Sequence, residues 1–86
     1  MAKIILDTSK LNTSRPEVKE GLQIDLQRVQ LLPELKDASA AMVTARNGIH
    51  FDSINYTVAR GRMCDGRFVQ EGMPREYGHE SLPFLN

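Results

Sequence analysis

The chain has 86 residues, 41% of them hydrophobic and 26% charged, with eleven basic side chains against eleven acidic ones. That length makes one small domain, which buries only about 60–65% of the surface its unfolded chain exposes; a deep enclosed active site is disfavoured and burial against a partner would help. Zero net charge removes any overall electrostatic footprint for DNA, RNA or an anionic membrane, and a single cysteine, Cys64, excludes an internal disulfide and a cysteine-based zinc framework.

A lone thiol suits a reducing compartment. The opening "MAKIILDTSK" has only a three-residue apolar run, too short for the core of a signal peptide, and no apolar stretch approaches a membrane span. The expectation is a soluble protein that is not secreted by that route.

Lys3 to Leu6 is β-prone and closes at Asp7-Thr8-Ser9, whose side chains can turn back onto the backbone, so a short first strand or extended arm is expected. Thr13 or Ser14 then offers an N-cap and Pro16 a first turn. Val18, Leu22, Leu26, Val29 and Leu32 follow at helical steps. Leu22, Ile24 and Leu26 also alternate like a strand, but a strand would put Arg28 on the apolar face while a helix turns it outward. Pro33 ends this helix and starts a second, with Leu35, Ala38, Met42 and Ala45 as its buried stripe and Asn47-Gly48 as a left-handed C-cap. An Asn-Gly hairpin joining "MVTAR" to "IHF" is the alternative. The alanines of "DASAA" favour the helix.

Beyond Gly48 the period changes to two. Ile49 and Phe51 alternate around His50, Ile54, Tyr56 and Val58 alternate around Asn55 and Thr57, and Asp65-Gly66 sits between apolar flanks as a type I′ hairpin turn would. From Gly72 onward, Pro74, Gly78 and Pro83 interrupt any regular element. The resulting architecture is an α+β domain over residues 1–72, two N-terminal helices packed on a small antiparallel sheet, with an extended C-terminal arm over 73–86.

No catalytic constellation emerges. His50 and Asp52 share a side of a strand and could join His79 or Cys64 as ligands or as a nucleophile and base, but closely spaced ligand pairs are missing. Neither a nucleophile elbow nor a phosphate loop nor a dinucleotide fingerprint occurs. No enzyme, cofactor or metal is therefore expected. Arg60, Arg62 and Arg67 surround one hairpin, and a two-stranded ribbon can enter a DNA major groove, although Asp65 at the tip and the neutral chain oppose it. Tyr77, Leu82, Phe84 and Leu85 are apolar anchors on the irregular tail. They can lie along a neighbouring subunit or fold back over their own sheet, and the residues weigh the two equally.

Three stretches, "IILDTSKLN", "RNGIHFDSINYTV" and "REYGHESLPFLN", together resemble the small neck and tail-completion proteins of tailed bacteriophages. The likeness lies in a short strand leading into Asp-Thr-Ser, in Gly48 followed by Ser53-Ile54 and a long strand, and in a Glu-aromatic-Gly segment running to Pro-Phe-Leu. The resemblance implies a small α+β protein with helices on an antiparallel sheet, forming a ring homo-oligomer at the head-tail joint of the virion after assembly in the host cytoplasm. It implies head connector and tail tube as partners, with no reaction and no cofactor. The expected function is thus structural, with Arg60, Arg62, Arg67, Tyr77, Leu82, Phe84 and Leu85 as partner-binding residues. A small nucleic-acid-binding regulator using the Arg-bearing hairpin, or a phage-encoded inhibitor of a host protein, are the alternatives.

Overall fold

The computed structural model describes residues 2–47 and 53–83. Among these residues five strands and one α-helix follow in the order β1 (Lys3–Lys10), α1 (Pro16–Val29), β2 (Ala40–Asn47), β3 (Ile54–Cys64), β4 (Arg67–Gln70) and β5 (Arg75–Gly78), with 3-10 turns at Pro33–Leu35 and His79–Ser81. β1 and β2 pair in parallel across α1, β2 and β3 are antiparallel, and β4 and β5 both lie antiparallel along the outer edge of β3. The sheet is therefore mixed.

The α1 helix forms where expected. Pro16 stands at its start, where a missing N–H costs nothing, while Arg15 rather than Thr13 or Ser14 occupies the N-cap and provides no side-chain cap. Its inward residues are Val18, Leu22, Asp25 and Val29, with Leu26 only partly covered. Against them the sheet presents Ala41, Val43 and Ala45 from β2 and Ile54, Tyr56 and Val58 from β3, and Leu11, Leu32, Leu35 and Leu82 close the ends. Each fully buried aliphatic side chain of this core contributes about 1.5–3 kcal/mol.

The second expected helix is absent, and with it the two-helix architecture. Residues 33–35 make a single 3-10 turn and Ala40–Asn47 is a central strand. In "AAMVTARN" the inward positions Ala41, Val43 and Ala45 alternate with Met42, Thr44 and Arg46, a period of two that helix propensity at the alanines masked. Pairing on both sides overrides that propensity, and the small side chains leave room for α1 above the middle of the sheet. Asn47 ends β2 paired with Ile54 and so caps no helix, while Gly48, Ile49 and Phe51 lie outside the described residues. The sheet is not purely antiparallel because β1 runs beside β2, through Asp7-Thr8-Ser9 to Lys10. Asp7 does turn back, accepting the Ser9 N–H at 2.9 Å, and the register shifts between Asp7 and Lys10. That N–H, ahead of the Ser9 hydroxyl, holds the Asp7 carboxyl below its ordinary range.

The expected extended arm is also corrected. Arg75–Gly78 is a strand of the sheet, and Leu82 is 2% exposed within the core. Gly78 and Pro83 bracket the short 3-10 turn, in which the Ser81 hydroxyl accepts the Gly78 N–H at 2.8 Å and donates to the Gly78 carbonyl at 3.0 Å. The hairpin at Asp65-Gly66 matches expectation: Asp65 has φ 53 and Gly66 φ 78, both positive as a type I′ turn requires, and Cys64 pairs with Arg67.

Candidate functional site

Three surroundings could carry function. The first is a buried polar cluster around Asp25, which is fully buried on the inward face of α1. Tyr56, itself 1% exposed, donates its hydroxyl to Asp25 Oδ2 at 2.6 Å. Nδ1 of His79 lies 2.8 Å from the same oxygen, and Arg28 Nη1 lies 3.5 Å from Oδ1. Burial first, then the hydrogen bond to Asp25 and its negative charge, push the Tyr56 hydroxyl well above the ordinary tyrosine range. The cluster thus ties α1, β3 and the C-terminal turn to one carboxylate.

The His79 ring meets Asp25 through Nδ1, and Nε2 is the ring nitrogen turned away from that carboxylate. The ring reaches an open cleft lined by Ser53, Ile54, Asn55, Glu80 and Ser81. Among the described residues no hydroxyl or thiol hydrogen-bonds His79, and no three His, Cys, Asp or Glu side chains gather as a metal site. Through its contact with Asp25, His79 latches the C-terminal turn to α1. Arg28, expected to face outward, has an 18% exposed side chain because Asp25 draws it back over the helix surface.

The second surrounding is the β3–β4 hairpin. Its pairs from Arg62 to Val69 lie beyond Gly61, the last residue of β3 matched to β2, so the hairpin projects as a two-stranded ribbon. Residues directly paired share a face, and the registers put Arg60, Arg62 and Arg67 on the helix side together with Arg75 of β5. Arg62, Arg67 and Arg75 are exposed. On the other side Phe68 lies over Gly61, where a Cβ would come within 2.8 Å of the ring.

The third is the face of the sheet turned away from α1. Ile5, Met42 and Ala59 stand side by side across β1, β2 and β3, and Met63 pairs with Phe68 beyond them. No described element covers this band, and Met63 is 37% exposed. Lys3 lies at one end of it, Asp7 and Glu76 at the other.

The tail residues fall differently. Leu82 belongs to the chain's own core, and Tyr77 packs against that core while its hydroxyl donates to Glu34. Burial, then that hydrogen bond and the charge of Glu34, raise the Tyr77 hydroxyl to about 12. Phe84 and Leu85, like His50 and Asp52, lie outside the described residues. Asp25 fills the slot three residues after Leu22 and four before Val29, a position that a stripe of apolar residues alone passes over. No helix among the described residues is long and apolar enough to cross a membrane. No protein-family model, no curated protein and no solved structure matches the chain.

Proposed function

We propose that the protein is a structural assembly component that works by contact with copies of itself rather than by chemistry. The observation that carries this reading is the half-covered sheet: α1 protects one face, while Ile5, Met42, Ala59, Met63 and Phe68 form an apolar band on the other with no described element over it. A band of this kind rimmed by polar residues is characteristic of an interaction surface. Its ends suit a second copy, because two sheets meeting face to face about a two-fold perpendicular to the strands bring Lys3 of one toward Asp7 of the other.

The phage part of the proposal, a ring at the head-tail joint of a virion, is supported by the three stretches that resemble neck and tail-completion proteins. The helix count attached to that resemblance differs from the one α-helix among the described residues. Light scattering over a concentration series tests the self-assembly. The expected result is a mass that is a fixed multiple of 9.7 kDa, reduced to one copy by Met42→Glu and by Met63→Glu on the projecting ribbon. A monomer at every concentration, or assembly indifferent to both substitutions, overturns it.

A further inference from the structure

We infer that Arg75, Arg60, Arg62 and Arg67 form a phosphate-tracking row that binds the backbone of double-stranded nucleic acid, an activity independent of self-assembly. Register places the four in sequence along one face. Arg75 pairs with Val58, diagonal to Arg60; Arg62 follows two residues along β3; Arg67 pairs with Cys64, diagonal to Arg62. Each step is about 7 Å, so the row runs roughly 20 Å from the root of the ribbon to its tip. Two residues of strand advance about 6.7 Å, so the row spans several phosphates of a duplex strand, whose charges rise by about 3.4 Å each along the axis.

Charge pairing leaves the row available. Among the described residues Arg60, Arg62 and Arg67 have neither an ion pair nor a side-chain hydrogen bond, and Arg75 has only the ring of Tyr77 at 5.8 Å. Asp65 sits in the turn itself, and Glu71, whose N–H donates to the Arg60 carbonyl, makes no ion pair with any of the four. All four cations are arginines, whose planar forks fit phosphate oxygens and are more weakly hydrated than ammonium groups. Asp65 at the tip and Glu71 across from Arg60 are the acidic residues of the ribbon, leaving the four arginines in local excess, while Glu17 and Glu20 lie on α1 and Glu76 on the opposite face of the sheet. Backbone contacts of this type position a protein without selecting sequence.

The test is fluorescence anisotropy with a labelled duplex of mixed sequence and the intact protein. Four phosphate contacts predict that affinity falls about 150-fold between 50 and 200 mM salt, and that Arg62→Ala with Arg67→Ala reduces this to about 12-fold. Lys10→Ala, on the far edge of the sheet, leaves both values unchanged. The absence of duplex binding at 50 mM salt, a salt dependence that the double arginine variant retains, or a poly-glutamate chain bound more tightly than the duplex would falsify the inference. None of these outcomes bears on the mass measured by light scattering.

Discussion

The hydroxyl of Tyr56 and the carboxylate of Asp25, from β3 and α1, meet at 2.6 Å in a place that water does not reach. Either group alone would be a buried polar atom without a partner, and together they fix how the helix sits over the sheet. Tyr56→Phe is expected to destabilise the fold by about 1–3 kcal/mol, since the carboxylate loses its shortest donor. Asp25→Ala should cost more, about 3–5 kcal/mol, because it strands Tyr56 and uncouples Arg28 and His79 together. Urea unfolding of the two variants measures both, and an Asp25→Ala change milder than Tyr56→Phe contradicts the arrangement.

Alkaline pH provides a second check. Tyr56 and Tyr77 both ionise less readily in the folded chain than the ordinary value of 10.0. A hydroxyl raised in the folded state contributes stability that is complete below its unfolded value and is lost as pH climbs toward the folded one. Stability should therefore decline from pH 10 toward about 12, the folded value of Tyr77. Tyr77→Phe and Tyr56→Phe should each flatten that decline when unfolding free energy is followed across the window.

Two glycines make opposite predictions. A Cβ at Gly61 would overlap the Val69 carbonyl oxygen and press on the Phe68 ring, so Gly61→Ala must push β4 away from β3 and cost about 1–3 kcal/mol. A Cβ at Gly21 would meet Ile54 Cδ1 at 3.6 Å, an ordinary contact, in the middle of α1. Gly21→Ala is expected to stabilise the chain by about 0.5–1 kcal/mol. Thermal melting of the pair should shift in opposite directions.

The C-terminal segment is the subject of a fourth prediction. Leu82→Ala opens a cavity beneath α1 and should cost about 2–5 kcal/mol. A chain ending at Gly72 loses β5, the Asp25 bond to His79 and Leu82 at once, and should show no cooperative unfolding. Circular dichroism during thermal unfolding of the shortened chain decides this, and a sharp transition would show that residues 73–83 are dispensable.

Local signals were readable where one residue or a short pattern decides the outcome. Pro16 and the stripe from Val18 to Val29 announce α1, and Asp65-Gly66 announces the hairpin. Alternation at Ile54, Tyr56 and Val58 announces β3. β2 reads as helix because Leu35, Ala38, Met42 and Ala45 fall at helical steps while Ala41, Val43 and Ala45 also alternate, and only its two neighbouring strands decide between the periods. β5 was hidden for a related reason: "REYG" has no pattern of its own and becomes a strand by pairing with β3. Around Asp25, the nearest signal was a charged residue in an apolar stripe, but its partners Tyr56 and His79 lie far along the chain, and spacing cannot show that they converge. The arginines were visible; that Arg75 joins Arg60, Arg62 and Arg67 depends on two strands sharing the edge of β3.

That shared edge sets an order of events as the chain folds. β4 can zip onto β3 through a two-residue turn, whereas β5 must come back to the other half of the same strand across a much longer loop. Until β5 docks, Tyr56 has an open flank and the space that Leu82 fills is empty. A chain with β3 and β4 paired and β5 still loose exposes an unpaired strand edge and a wet core, the state in which it is most vulnerable to proteases and to pairing with a neighbouring chain.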